Sequence, residues 1–176
     1  MRKVLYILGQ LSDSDVDWLA RAGTRAKRAR GFELIGFASR PDRIFIVLEG
    51  ELSIRTGKGL ELARVGTGDI LGEMSLVDSR PTSAAAVVTS DAMVLEIERS
   101  AIRAKLDSDT GFAARFYRAI AIFLSERMRS TIGRLGDGAG DAGSDADELD
   151  ADVLDNVHLA GARFEAMLRR LAEPGA

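Results

Sequence analysis

Between residues 68 and 85 the chain reads Gly-Asp-Ile-Leu-Gly-Glu-Met-Ser-Leu-Val-Asp-Ser-Arg-Pro-Thr-Ser-Ala-Ala, and this stretch gathers the side chains with the most chemistry to offer. Its pattern predicts a strand ending at Gly72 and a single helical turn from Glu73 to Val77. A glycine at that junction lets a ligand approach the backbone closely. The first amides of such a turn have no partner within it and are expected to face outward, as an anion cradle. Glu73 is an odd neighbour for an anion unless its carboxylate accepts hydrogen bonds from hydroxyls; a sugar joined to a phosphate satisfies both groups. Pro81 pins the returning loop, and Thr82 and Ser83 bring hydroxyls and amides to the same place.

Positioning these groups takes a scaffold of short strands. Phe32–Ile35, Ile44–Leu48, Glu51–Arg55, Leu60–Val65, Ala84–Val88 and Met93–Ile97 read as strands, with Gly50 as a bend and Gly57-Lys58-Gly59 as a hairpin turn. Short strands at such spacing, with glycines between, predict a small antiparallel barrel or jelly roll. Ser12 and Asp15 form a capping-box pattern flanked by Leu11 and Val16, so a helix is expected to start there and to stop near Gly23. Trp18 is read as packing. From Phe112 to Leu135, the series Phe116, Ile120, Leu124, Met128, Ile132 runs at helical spacing. That apolar stripe is wide enough to cover the roll and a partner helix, so a homodimer through the Phe112–Leu135 helix is expected. A final amphipathic helix is predicted from Glu148 to Leu171.

The motifs resemble the cyclic-nucleotide-binding domain family. Gly72-Glu73-Met74-Ser75-Leu76, followed after a spacer by Pro81-Thr82-Ser83-Ala84, is similar to that family's phosphate-binding cassette, and Asp42 to Leu52 is similar to its upstream strand, glycine and return strand. The resemblance covers about residues 10–135. It implies an α+β fold: an eight-stranded antiparallel β-roll (jelly roll), about residues 27–98, with an N-terminal helix and long C-terminal helices, the trailing ones at 100–135. It implies that Glu73 accepts a hydrogen bond from a ribose 2′-hydroxyl with the Gly72 backbone nearby. Ser75 and Ser83 would hold the cyclic phosphate through their amides, and the Ser83 hydroxyl would reach phosphate or base. The ligand implied is cAMP or cGMP. The family's phosphate-pairing arginine follows the proline; here that position is Thr82, and an arginine, Arg80, stands before the proline instead.

Composition bounds the rest. There are no cysteines and one histidine, His158, among 176 residues. Thiolate metal sites, disulfides, Cys nucleophiles and multi-histidine metal centres are thereby excluded. A cupin-like enzyme needs two or three histidines in the barrel, and this barrel has none, so no enzymatic activity and no metal are expected. Asp13, Asp15 and Asp17 are read as favouring a helix start through its dipole. Arg25, Lys27, Arg28 and Arg30 are read as a solvated strand rather than a nucleic-acid surface.

Charge is unevenly spread. Residues 1–135 hold 21 basic and 17 acidic side chains, whereas residues 136–176 hold 3 and 10. The stretch 136–147, rich in Gly and Asp, is read as a flexible linker between a 10–135 domain and a 148–172 helix. Relatives that read DNA carry a basic helix-turn-helix in that place, so no nucleic acid is expected as partner. The longest apolar run, Ala119 to Leu124, is too short to span a membrane, and a cytoplasmic location is expected. The function that follows is a regulatory cyclic-nucleotide-sensing module acting on a separate effector protein. The alternative is a degenerate scaffold of that family that serves protein–protein interaction without nucleotide.

Overall fold

The computed structural model describes residues 4–78, 80–136 and 151–172. Fourteen elements follow one another: α1 (Val4–Gln10), α2 (Asp13–Ala22), β1 (Gly23–Arg28), β2 (Glu33–Ile35), β3 (Arg43–Glu49), β4 (Glu51–Arg55), β5 (Glu61–Gly66), β6 (Ile70–Leu71), α3 (Met74–Val77), β7 (Ala85–Val88), β8 (Ala92–Glu98), α4 (Arg99–Ser108), α5 (Thr110–Gly136) and α6 (Ala151–Ala172). The eight strands form two four-stranded sheets, ordered β1-β8-β3-β6 and β2-β7-β4-β5, and neighbouring strands run antiparallel.

The alternation along β3 explains the layering. Ile44, Ile46 and Leu48 bury into a cluster shared with the helices, whereas Phe45 and Val47 bury into a second cluster between the sheets. Strand β8 divides its side chains the same way, Leu95 and Ile97 toward the helices and Ala92 and Val94 toward the other sheet. Successive side chains of a strand point to opposite faces, so this sheet is a middle layer with apolar contacts on both sides. Between β3 and β4 the chain passes through Gly50 at φ +93°, where an added Cβ would lie 2.6 Å from the Asp91 carbonyl oxygen.

Helix α2 starts as its sequence predicts. Ser12 Oγ accepts from the Asp15 amide, and Asp15 Oδ2 accepts from the Ser12 amide at 2.8 Å. Trp18 packs edge-on against Phe112 with ring centroids 5.5 Å apart. Asp109 turns α4 into α5: it is the C-terminal cap of α4, and its Oδ1 accepts the Phe112 amide at 2.8 Å.

Three features depart from the sequence reading. The first strand begins at Gly23, not near residue 27, and runs directly on from α2. A helix precedes α2, with Ile7, Leu8 and Leu11 in or just after it buried in the helix-side cluster. The stripe on α5 is largely spent inside the chain, because Phe112, Phe116, Ala119, Ile120 and Phe123 are all buried there. Helix α6 is described from Ala151 to Ala172, inside the 148–172 reading whose first residues lie outside the described ones, and it returns to cover α1 and α2, with Ala160 and Met167 buried. The three aspartates of α2 each meet an arginine from a later helix: Asp13 with Arg163 at 2.7 Å, Asp15 with Arg115, and Asp17 with Arg170 at 3.0 Å. Beyond Gly136, the stretch read as a linker lies outside the described residues, as does the side chain of His158. No described helix is long and apolar enough to cross a membrane.

Candidate functional site

A pocket of about 310 Å³ opens where β6, α3 and the start of β7 meet. Gly72, Glu73, Met74, Ser75, Arg80, Pro81, Thr82, Ser83 and Ala84 all line it, so the residues singled out in the sequence converge on one cavity. Its apolar wall joins Leu71 of β6 to residues that sequence reasoning did not assign to a site: Ile35 of β2, Pro41 of the β2–β3 loop and Ile54 of β4. The signal of Ile35 and Ile54 in the sequence was only that of core strand residues.

Gly72 is there for a steric reason. Its φ is +84°, and an added Cβ would sit 2.8 Å from the Arg43 carbonyl oxygen. That conformation favours glycine, and the contact is with backbone, which cannot swing aside. The kink feeds α3, whose Leu76 joins the same buried cluster as Ile102 and Leu106 of α4. Glu73 is 3% exposed while Met74, next to it, is exposed.

The amides of the turn are not all turned outward. The Ser75 amide donates to the Gly72 carbonyl at 3.0 Å, and the Leu76 amide to the Glu73 carbonyl at 3.1 Å. The Ser75 hydroxyl also donates to the Gly72 carbonyl, at 2.7 Å. The cradle expected from the sequence therefore closes partly on itself, because so short a turn satisfies its amides by i to i−3 bonding.

Arg80 points away. Its side chain is 87% exposed and its Nε lies 3.3 Å from Asp78 Oδ2. Thr82 does a different job from a ligand-pairing cation. Its hydroxyl donates to the Gly36 carbonyl at 2.6 Å and accepts from the Ser39 amide at 3.0 Å. Its backbone adds two bonds, Thr82 amide to Ser39 carbonyl at 2.8 Å and Ala38 amide to Thr82 carbonyl at 3.0 Å. This side chain ties the β2–β3 loop to the pocket wall, and Ala38 within that loop holds φ +53°. Nothing in the residue type announced the tie; threonine reads equally well as a wall hydroxyl. Ser83 is exposed on the pocket wall, and Ala84 is half-buried.

Glu73, Asp78 and Arg80 are the charged side chains among its described lining residues. Among the described residues no cluster of three metal-ligating side chains occurs. From the site a path leads to the helices: Arg103 Nη2 of α4 approaches the Ser75 carbonyl at 3.4 Å, and Leu76 shares buried packing with α4.

Residues 30–109 match the family model described as the cyclic nucleotide-binding domain. Over 112 residues the chain is 26% identical to the CRP-like cAMP-activated global transcriptional regulator of Mycobacterium tuberculosis, a match covering 61% of this chain and 48% of that protein. The chain thus spans about half the length of the curated relatives it matches. A cyclic nucleotide-binding domain from Methylobacillus flagellatus has a similar fold, with TM-score 0.69 and 24% identity over 80% of this chain and 85% of that one. The N-terminal domain of a transcriptional regulator from Streptomyces coelicolor gives TM-score 0.58 and 26% identity over 80% of this chain and 100% of that one. The family match falls on the strands and turn that build the pocket, so the segment that carries the site is similar to the cyclic nucleotide-binding domain.

Proposed function

We propose that this chain is a regulatory module that binds a small nucleotide-type ligand, cAMP or cGMP in the first instance, and signals to a separate effector protein. The observation that carries the reading is the convergence of Gly72, Glu73, Ser75 and Ser83 on one cavity inside the family-matched segment. The cavity's volume is at the lower end of the usual range for small-molecule sites. In this reading Glu73 accepts from ribose hydroxyls, the Ser83 side of the wall faces the phosphate, and the apolar wall of Ile35, Ile54 and Leu71 takes the base. The ligand-binding unit is residues 10–135, with α6 and the 136–147 stretch serving the output.

The output runs through α3. A ligand that shifts the Gly72–Ser75 turn moves Leu76 and the Ser75 carbonyl, which touch α4, and α4 leads into α5. Ligand then favours one placement of the trailing helices over another, a population shift. A second copy of the chain would use the outer side of α5, where Tyr117 and Met128 are exposed. Contact with nucleic acid is not part of this proposal, since two of the three C-terminal arginines, Arg163 and Arg170, are already paired with aspartates of α2.

A second reading has its own support. Thr82 is tied into the β2–β3 loop and Arg80 faces solvent, which favours a scaffold that has lost its ligand and only binds protein. Calorimetric titration of the full chain with cAMP and with cGMP separates the two. A saturable signal with Kd below about a millimolar, abolished by Glu73→Ala, supports the regulatory module. Absence of any signal with both nucleotides leaves the scaffold.

A further inference from the structure

Helix α4 begins without a capping side chain. Glu98 precedes it and makes no side-chain cap bond, and its first turn holds no acidic residue. The opening amides of a helix have no partner within it. The first of them here, the Arg99 amide, donates to the Asp42 carbonyl at 2.7 Å. The start of α4 is thus held from outside, by the end of the β2–β3 loop.

The other end of that loop is held at the pocket. The Thr82 hydroxyl donates to the Gly36 carbonyl at 2.6 Å and accepts from the Ser39 amide at 3.0 Å. The Ala38 amide and the Ser39 carbonyl pair with the Thr82 backbone. Ala38, at φ +53°, is the one non-glycine residue among those described whose φ is positive. Such a conformation persists where neighbouring bonds over-determine it, and the bonds to Thr82 flank it on both sides. Arg40 and Pro41 then lead from Ser39 to Asp42. Pro41 has a ring-locked φ and itself lines the cavity. Two pocket-lining residues, Thr82 and Pro41, therefore bear on a short, stiff segment whose last carbonyl holds α4.

We propose that residues 36–42 form a strap through which the pocket sets the start of α4, with Thr82 as its positioning residue. This deepens the regulatory-module reading and rests on it. A ligand lying against Thr82 and Pro41 shifts the strap, and the Asp42 carbonyl carries the shift to Arg99, favouring one placement of α4 over another. The route enters α4 at its first residue and bypasses the contact between the Ser75 carbonyl and Arg103.

The test is amide hydrogen exchange on the full chain, read residue by residue, first without ligand. Thr82→Val removes the hydroxyl's bonds to Gly36 and Ser39. Exchange is then expected to quicken by at least about threefold at Arg99 as well as at Ser39. It is expected to hold at Asp109, whose amide bonds to Lys105 at the far end of α4. An Arg99 rate unchanged by Thr82→Val, or raised no more than that of Asp109, overturns the strap: the loosening is local in the first case and general in the second. Pro41→Gly frees the φ of residue 41 and leaves the Thr82 bonds in place. It is expected to quicken Arg99 and not Ser39, and it applies the same criterion should Thr82→Val fail to fold. With cAMP or cGMP at saturation, protection at Arg99 is expected to change in wild type by at least about threefold, and that change to be lost in Thr82→Val. A nucleotide that alters exchange at Asp78, whose amide caps α3, and leaves Arg99 unmoved overturns the strap while the regulatory reading stands. Silence from both nucleotides overturns the regulatory reading, and the mechanical link from Thr82 to Arg99 is then decided by the ligand-free rates.

Discussion

Arg115 on α5 holds Asp15 on α2 with both arms of its guanidinium, Nε to Oδ2 at 2.7 Å and Nη2 to Oδ1 at 3.0 Å, although 100 residues separate them in the chain. Asp15 is buried, and the same carboxylate closes the capping box with Ser12. One side chain therefore starts a helix and fastens it to the helix that trails the β-roll. Burial alone would push its pKa up, but the bonds from Arg115 and from Ser12 outweigh that and hold it below the ordinary value.

The pH dependence follows from that sign. A carboxyl with a depressed folded pKa contributes stability that is complete above its unfolded value, about 4, and fades as pH falls through the folded value. The difference in denaturation midpoint between wild type and Asp15→Asn is expected to be constant from neutrality down to about pH 5 and to shrink below about pH 4. A difference that persists undiminished at about pH 2.5 would contradict the assignment. Ser12→Ala should cost about 1 kcal/mol, and Asp15→Ala more than that, since it also strands Arg115 without its partner.

Gly72 has no room for a side chain. Gly72→Ala forces a positive φ on a residue with a Cβ and drives that Cβ against the Arg43 carbonyl. The expected loss is about 1–3 kcal/mol, read by urea denaturation, together with loss of ligand binding. A variant of wild-type stability would show that the turn relaxes freely.

Thr82→Val is nearly isosteric and removes the hydroxyl shared by Gly36 and Ser39. Stability should fall by about 1–2 kcal/mol. Amide hydrogen exchange should quicken at Ser39 more than in the sheet strands. Uniform exchange across the chain would mean that the loop is held by its backbone bonds alone.

Met167 tests whether α6 belongs to the core. It is 1% exposed in the helix-side cluster. Met167→Ala should cost about 2–4 kcal/mol and make α6 the first site of limited proteolysis. An unchanged digestion pattern would place α6 outside the cooperative unit.

The sequence revealed the parts of this fold whose pattern is local. The apolar run at Ile44–Leu48, the alternation at Glu51–Arg55 and the capping box at Ser12 each carry their own signature, and each stands where expected. Strand β1 was harder to place, because Thr24, Arg25 and Lys27 are polar and only Ala26 is apolar within it; its partner β8 imposes the extended form, pairing Arg25 with Leu95 and Lys27 with Met93. Helix α1 carries too short an apolar pattern to announce itself, and its burial comes from α5 and α6, far along the chain. At the site, the identities of Gly72, Glu73 and Thr82 were legible. The bonds of Thr82 were not, since they depend on where the β2–β3 loop comes to rest.

The aspartates of α2 carry a consequence for biosynthesis. All three find their cationic partners at positions 115, 163 and 170. While the ribosome is still adding residues beyond the sheets, the emerging amino-terminal helices have no counter-charges and no α6 to shelter Ile7 and Leu8. Completion of that corner must wait until α6 has cleared the exit tunnel, which leaves α1 and α2 open to chaperones until then.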